Sequence, residues 1–362
     1  MTAATKADVR RLILDGTANS CFFRTAGPDG QRKALVQITE RCNLHCAHCF
    51  VSSTRHGSDM RAAVLAEVVI PRLQRARVSR VTLTGGEPFV HPEIIEIVSQ
   101  LTAAGVSVGV CTNATCISED QIEALARFPN VHVNVSFDGF RAESHGKFRG
   151  DPASFDVTVA TTRRLADAGL LQGLLSTPNA LTTEDDYVEL ARFAVDTGAE
   201  YLLMNPLSSF GRGTKSKKRL AATKDSMTRI RNAVTLASRG LVDVVPIRFP
   251  NDDKPLAGCI AGDIVYVFTD GAVAVCPYLV FAARTPQSRY RDDEFIVGNV
   301  FDGEIAEALD AYRFHERYTV GTNDTCSSCS ITGSCGKGCP AVVIADGGSI
   351  GDRDIETCPF PA

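Results

Sequence analysis

The chain has 362 residues, 44% hydrophobic and 22% charged, with a net charge of −4. This is the balance of an ordinary globular protein of about two domains, with no basic footprint for nucleic acid. No apolar run approaches the roughly 20 residues of a membrane span, and the first residues lack a secretion signal's apolar core, so a cytoplasmic location is expected.

Residues 1–33 read as an N-terminal extension, with a short helix from Ala7 to Asp15, a strand at Cys21 to Arg24 and turn chemistry at Gly27-Pro28-Asp29-Gly30. From Ala34 to about Asn205, short β-rich runs alternate with amphipathic stretches. The predicted strands are 34–38, 80–84, 106–111, 131–136, 170–176 and 201–205, and the predicted helices are 60–76, 92–104, 118–127, 155–168 and 185–197. Pro71 is expected to kink or shorten the first helix. Gly105, Gly169 and Gly198 stand where helix C-caps belong. Such alternation implies parallel strands in right-handed βαβ units, here a partial (β/α)6 TIM-like barrel over 34–235.

In a barrel of this kind function gathers at the carboxyl ends of the strands. The unusual residues fall there. The first strand feeds Cys42, Cys46, Cys49 and Phe50; the second ends in Thr84-Gly85-Gly86-Glu87-Pro88. The third ends in Cys111-Thr112-Asn113-Ala114, the fourth in Ser136-Phe137-Asp138-Gly139 and the sixth in Met204-Asn205-Pro206. Turn formation explains any one of these, and Asp138 before Gly139 in particular, as well as function does. All of them together, beside a cysteine loop, point to a site.

Residues 206–257 read as a connector, the last part of it (236–257) a bridge. Gly211-Arg212-Gly213 leads into Lys215, Lys217, Lys218 and Arg219, most simply a solvated face, followed by a helix at 223–238 and a strand at 242–248. In residues 258–362 a β-hairpin is expected from Asp263–Phe268 and Ala272–Cys276 around Thr269-Asp270-Gly271. A strand at Phe295–Val300 and a helix at Gly303–Phe314 follow. Then come Cys326-x2-Cys329-x5-Cys335-x3-Cys339 and Cys358. A segment so rich in cysteine and turns is expected to need metal to fold.

Ten of the thirteen cysteines lie in these two regions. In a chain of this length without a secretion signal, clustered C-x2-C spacing argues for metal over disulfides. Three thiolates on the first loop can hold three corners of a [4Fe–4S] cube, which normally takes four, so one iron is left for another ligand. The tail's seven cysteines, Cys259 and Cys276 included, are awkward for one four-thiolate zinc. They suit two sites, one complete and one short of a ligand, and such multi-thiol runs favour iron–sulfur over zinc.

Cys42-x3-Cys46-x2-Cys49-Phe50 with Gly85-Gly86-Glu87-Pro88 resembles the radical S-adenosylmethionine (radical SAM) superfamily. Cys259-x11-Gly271-x4-Cys276, Cys326-x2-Cys329-x5-Cys335-x3-Cys339 and Cys358 are similar to its seven-cysteine SPASM extension, found in peptide maturases, sulfatase maturases and the pyrroloquinoline-quinone and mycofactocin enzymes. The two halves cover residues 34–358.

The resemblance implies SAM and three [4Fe–4S] clusters. Cys42, Cys46 and Cys49 would hold the first, whose fourth iron chelates the amino and carboxylate groups of SAM. Gly85 and Gly86 would allow close backbone approach, and Glu87 would accept from the SAM ammonium. Ser136 and Arg149 would hold the SAM carboxylate, although Arg149 is one residue farther from Ser136 than in sulfatase maturases. Asn113 and Asp138 would contact the ribose or support the site, with Phe50 near the adenine. Reduction would cleave SAM to a 5′-deoxyadenosyl radical that abstracts a substrate hydrogen, the protein positioning the substrate and excluding water.

Cys326, Cys329, Cys335 and Cys358 would ligate one auxiliary cluster and Cys259, Cys276 and Cys339 the other. The extra cysteine of fully ligated maturases is missing between Cys116 and Cys259. Asp252 or Asp253 would complete that cluster, or one iron is open toward substrate. The base aspartate of sulfatase maturases is replaced by Pro277, with Tyr278 next as a weak catalytic candidate, which disfavours formylglycine formation. His45 and His48 read as variable loop positions, and Cys21, Cys111 and Cys116 as buried or idle thiols.

The expected activity is oxidative modification (cross-linking, decarboxylation or epimerisation) of a ribosomally made peptide, with a flavodoxin- or ferredoxin-type reductant. The alternatives are a radical SAM dehydrogenase of a small molecule, such as an aminocyclitol or tetrapyrrole, and an iron–sulfur or zinc protein without radical chemistry. The 33 residues before the barrel cannot build a winged-helix leader-binding module, so a peptide substrate would need a separate recognition protein or docking on the barrel and bridge.

Overall fold

The computed structural model describes residues 30–251 and 254–360. The helix and strand expected before Gly30, most of the turn at 27–30, Cys21, Asp252 and Asp253 lie outside them. Ten strands form one sheet: β1 Arg32–Thr39, β2 Val78–Gly85, β3 Ser107–Thr112, β4 Val131–Ser136, β5 Leu171–Ser176, β6 Tyr201–Met204, β7 Asp243–Pro246, β8 Ile264–Val267, β9 Ala272–Ala274 and β10 Ile296–Asn299. Their order is β10-β9-β8-β1-β2-β3-β4-β5-β6-β7. Every pairing from β8 through β1 to β7 is parallel, and β9 and β10 are added antiparallel. The sheet is the parallel core of a partial TIM barrel.

The six predicted strands are β1 to β6, in order. Two further segments join them. The strand expected at 242–248 continues the parallel sheet as β7, and the first arm of the tail hairpin pairs in parallel with β1 as β8. Ile264–Val267 is buried at all four positions, as a strand covered on both faces must be. The barrel and the start of the tail therefore share one sheet and one apolar core.

The crossover helices form where the apolar periodicity places them, at Ile94–Ala103, Glu119–Ala126, Ser154–Asp167 and Glu184–Asp196. Ser118 with Gln121 and Thr183 with Asp186 form reciprocal capping boxes. The first crossover runs as Ala62–Val64, a π-helical turn Leu65–Val69, and Ile70–Arg75. The widened turn precedes Pro71, whose missing N–H and ring cannot join a regular α ladder. Unpredicted helices span Gly213–Leu220, Pro277–Ala283 and Pro340–Ala345.

The helix Gly213–Leu220 fastens the tail to the barrel. Lys217 Nζ lies 2.5 Å from Glu356 and 3.3 Å from Asp346, and Glu356 also faces Arg248 at 3.5 Å. Lys217 is thus not part of a solvated face, although Lys215, Lys218 and Arg219 are exposed. Among the described residues no helix is long and apolar enough to cross a membrane.

Candidate active site

The cysteine loop leaves β1 and is held from several sides. The β2 end crosses it so closely that a Cβ on Gly85 would stand 2.2 Å from Thr39 O, and one on Gly86 2.0 Å from Arg41 O. Gly86 N–H and Glu87 N–H donate to those same carbonyls, each at 2.9 Å. The glycine pair therefore seats the cluster loop itself, which is a stricter demand than room for a ligand.

From the far side, Arg212 donates to Cys46 O (2.8 Å) and Ser53 O (2.7 Å), its N–H donates to Cys49 O (3.0 Å), and Ser216 Oγ donates to Ala47 O (2.7 Å). Ala47 N–H meets Phe148 O at 2.9 Å. A guanidinium on two loop carbonyls fixes the loop more firmly than neutral donors would. Arg212 carried no sequence signal beyond standing between two glycines, because its partners are more than a hundred residues away.

Cys42, Cys46 and Cys49 open into one cavity of about 200 Å³, walled also by Phe50, Gly85, Gly86, Glu87, Asn113, Ser136, Asp138, Arg149 and Tyr278. All of the predicted cofactor residues except Pro88 line it. Pro88 is buried behind the wall and starts the 3-10 turn Pro88–Val90. The cavity also takes in Cys111, Thr112 and Asn205, from the strand ends that the sequence singles out, and Ser176, Thr177 and Phe210, which it does not. Cys111, expected to be idle, faces the cavity.

Burial pushes the Cys42 thiol up to about 11 and the Cys46 thiol up to about 12. A metal centre there must displace their protons.

Glu87 is buried with both oxygens engaged. Oε1 accepts from Thr112 Oγ1 (2.6 Å) and Phe89 N–H (3.1 Å), and Oε2 from Asn113 N–H (2.7 Å). Burial raises its carboxyl above the ordinary value, against these donors. A carboxylate has about four acceptor positions, so Oε2 keeps capacity for another donor. The Asn113 carboxamide is turned to the loop, donating to Asn43 Oδ1 (3.0 Å) and accepting from Thr115 Oγ1 (2.6 Å).

Asp138 and Arg149 form a buried ion pair, 2.7 Å apart. Thr177 N–H donates to Asp138 Oδ1 at 2.7 Å, and His48 Nε2 stands 3.7 Å from Oδ2. Burial alone would raise the Asp138 carboxyl, but Arg149 and the neighbouring histidines outweigh it and hold the group below its ordinary value. His48 stacks on Phe148 at 4.7 Å, and burial drops its pKa to about 4, so it is neutral at physiological pH. Arg149 lines the cavity, and its Nε is buried with no hydrogen-bond partner among the described residues. Phe50 packs edge-on against Phe281 (5.1 Å) and Tyr278 (6.3 Å), and Tyr278 stacks on Phe210 (5.5 Å).

A second, small cavity, of about 20 Å³, is lined by Cys259, Cys276 and Cys339. Tyr278 belongs to the walls of both cavities. Cys326 lies in the short helix Asp324–Ser327, and Cys329, Cys335 and Cys358 lie in irregular segments after it. Asn323 caps Cys326 N–H at 2.9 Å, and Asp354 Oδ2 accepts from Cys339 N–H (3.3 Å) while its carbonyl accepts from Cys358 N–H (2.9 Å).

Three thiols on a clamped loop, an uncommitted buried guanidinium N–H and a carboxylate with spare acceptor capacity fit an iron–sulfur cluster with a zwitterionic ligand. Residues 36–194 match the model of the Radical SAM superfamily, so the chain carries a radical SAM domain. It is therefore an enzyme that uses SAM and a [4Fe–4S] cluster.

The chain is 29% identical to mycofactocin maturase MftC of Mycobacterium tuberculosis, over 88% of this chain and 81% of that one. It is 27% identical to the antilisterial bacteriocin subtilosin biosynthesis protein AlbA of Bacillus subtilis, over 84% and 66% respectively. Its fold is similar to that of Streptococcus suis SuiB bound to S-adenosylmethionine, with a TM-score of 0.70 at 17% identity, covering 90% of this chain and 77% of that one. SuiB has also been solved bound to the precursor peptide SuiA.

Proposed function

We propose that this chain is a radical SAM enzyme of the SPASM type that oxidatively modifies a ribosomally made peptide in the cytoplasm. The observation that carries the reading is the single cavity in which Cys42, Cys46 and Cys49 meet Glu87, Ser136, Asp138 and Arg149. The peptide substrate is supported by the maturase and bacteriocin-biosynthesis relatives and by the SuiB complex with a precursor peptide.

The three loop thiols would hold the cluster. Ser136 and the uncommitted N–H of Arg149 would take the SAM carboxylate, the spare acceptor of Glu87 its ammonium, and Phe50 would lie beside the adenine. Asp138 would keep Arg149 aimed, and Asn113 would brace the loop. When bound, these cofactors supply a 5′-deoxyadenosyl radical that removes a hydrogen from the substrate. The protein's part is to fix the loop through Gly85, Gly86 and Arg212, and to shield the cavity with Phe50, Phe210 and Tyr278.

Cys326, Cys329, Cys335 and Cys358 would hold one auxiliary cluster, and Cys259, Cys276 and Cys339 another. A flavodoxin- or ferredoxin-type reductant and a separate leader-recognition protein complete the reading, with residues 34–235 as the barrel, 236–257 the bridge and 258–362 the auxiliary region.

The test is anaerobic incubation of the reconstituted enzyme with SAM, reductant and candidate precursor peptides, followed by mass spectrometry. Loss of two hydrogens from a peptide per 5′-deoxyadenosine formed is expected. Turnover of a small molecule with every peptide inert would replace this reading with the dehydrogenase one.

A further inference from the structure

None of the residues assigned to SAM comes from the ends of β5 and β6, yet those ends wall the same cavity. Ser176, Thr177, Asn205, Pro206, Leu207 and Ser208 line it there. In the sheet β6 stands two strands beyond β4, the strand that ends in Ser136. Several polar groups of this wall are already engaged. Ser176 Oγ and Tyr187 Oη lie 2.9 Å apart, Thr177 N–H serves Asp138, and Asn205 N–H donates to Ser176 O at 2.9 Å.

The Asn205 carboxamide is held by a buried arginine that is not itself part of the wall. Arg248 follows β7 with a φ of +52°, a left-handed conformation that a non-glycine residue keeps only where its surroundings impose it. Its guanidinium donates to Asn205 Oδ1 from Nε (3.3 Å) and from Nη2 (3.1 Å), and Nη2 also reaches Pro206 O (3.3 Å) and Ser208 Oγ (2.5 Å). On the other side Nη1 faces Glu356 at 3.5 Å. A guanidinium only donates, so the carboxamide atom turned to it is the oxygen. Nδ2, with two donor hydrogens, is then left without a hydrogen-bond partner among the described residues. Two charge-assisted bonds on the oxygen fix the carboxamide plane and polarise its N–H groups. Asn205 is half-buried, so this donor is held in place without being sealed off.

We propose that Asn205 Nδ2 donates a hydrogen bond to a main-chain carbonyl of the peptide substrate, with Arg248 as the positioning residue that fixes the carboxamide. The proposal rests on the reading that the substrate is a peptide. In that reading the charged groups of SAM are met by Glu87, Ser136 and Arg149, whereas the wall at Asn205 offers a neutral donor beside the apolar Pro206 and Leu207. A peptide brings the matching chemistry, a neutral carbonyl acceptor at every residue next to a side chain. A donor of fixed direction accepts only a carbonyl on its own line. The subsite therefore sets which residue of the peptide is presented to the radical, and a hydrogen can be removed only from a group held within reach.

The test is Asn205→Asp in the full chain, reconstituted anaerobically and given SAM, reductant and the synthetic precursor peptide that loses two hydrogens in the incubation above. The carboxylate keeps the acceptor that Arg248 holds and removes both donor hydrogens. The KM for the peptide is expected to rise about tenfold, as for one hydrogen bond whose partner is left unpaired. SAM binding in equilibrium dialysis should stay as in the parent, and more 5′-deoxyadenosine should form per peptide modified. Arg248→Lys keeps the charge without the fork and should raise the peptide KM by a smaller factor, again with SAM binding unchanged. A merely structural Asn205 would not separate the two ligands in this way. If Asn205→Asp does not fold or hold iron, Asn205→Ala removes the same donor without adding charge and carries the same expectation. An unchanged peptide KM would overturn the proposal. Weakened SAM binding would overturn it in favour of a contact to the adenine ring. If every peptide is inert and a small molecule is turned over, the peptide reading fails and the subsite with it. A peptide modified equally well by parent and variant fails Asn205 alone.

Discussion

Gly86→Ala is a one-methyl change at the point where β2 crosses the cysteine loop. The new Cβ would stand 2.0 Å from Arg41 O, 2.4 Å from Arg41 C and 2.9 Å from Cys42 N, whereas real Cβ contacts essentially never fall below 3.0 Å. The neighbours are backbone and cannot swing aside, so the loop must retreat by about 1 Å to restore a tolerable contact. That movement breaks the bonds from Glu87 N–H to Arg41 O and from Gly86 N–H to Thr39 O. At about 1 kcal/mol for each bond and about 1–3 kcal/mol for overpacking, the cost is about 3–5 kcal/mol. That is a large part of a domain's total stability, and it falls on the one segment that carries Cys42, Cys46 and Cys49.

The assay is iron and sulfide content after anaerobic reconstitution, with circular dichroism for the fold. Gly86→Ala should retain the fold and lose one cluster's iron and SAM cleavage with it. Gly105→Ala is the control, since a Cβ there meets nothing within 4 Å and the cost is only the strain of a positive φ. Full iron content and wild-type SAM cleavage in Gly86→Ala would refute the reasoning.

Other perturbations follow from the same contacts. Arg212→Ala removes charge-assisted bonds to Cys46 O and Ser53 O, worth about 1.5–3 kcal/mol each, and should speed oxidative loss of the SAM-binding cluster in air, followed by visible absorbance. Arg149→Lys keeps the charge but loses the planar fork, and should weaken SAM binding by on the order of tenfold in equilibrium dialysis. Glu356→Gln weakens the contacts of the tail to Lys217 and Arg248, and should lower stability by about 1 kcal/mol and expose the tail to limited proteolysis.

Asp186 gives a pH signature. Burial alone would raise its carboxyl, but Arg141, Ser144 and the N–H groups of Phe140 and Thr183 bring it down to about 2 from an ordinary 3.8. Its stabilisation, about 2 kcal/mol, is therefore complete above about pH 4 and is lost as pH falls toward 2. Asp186→Asn should remove that part of the acid limb in urea titrations at pH 2–5.

The barrel was legible because each of its first six strands is an apolar run closed by a helix start, and period and punctuation agree. The cofactor residues were legible because they sit at the ends of those strands, next in sequence to the elements that place them. β8 was recognisable as one arm of a hairpin, but its parallel neighbour β1 is more than two hundred residues away, and no local pattern encodes that pairing. Arg212 has no signal beyond its two flanking glycines, and Lys217 reads as a member of a basic, solvated run. Only the folded chain brings one onto the cysteine loop and the other onto Glu356. Cys111 belongs to no spacing motif, yet the alternation of β3 turns it into the cavity.

The central claim is that the cavity around Cys42, Cys46 and Cys49 is where SAM is bound and cleaved. The most direct measurement is 5′-deoxyadenosine formation by the anaerobically reconstituted, reduced enzyme, compared with a variant carrying alanine at those three cysteines and the tail cysteines intact. The account predicts one methionine for each 5′-deoxyadenosine in the parent, and neither product in the variant although it still binds iron. SAM cleavage that survives the loss of all three thiols would contradict it.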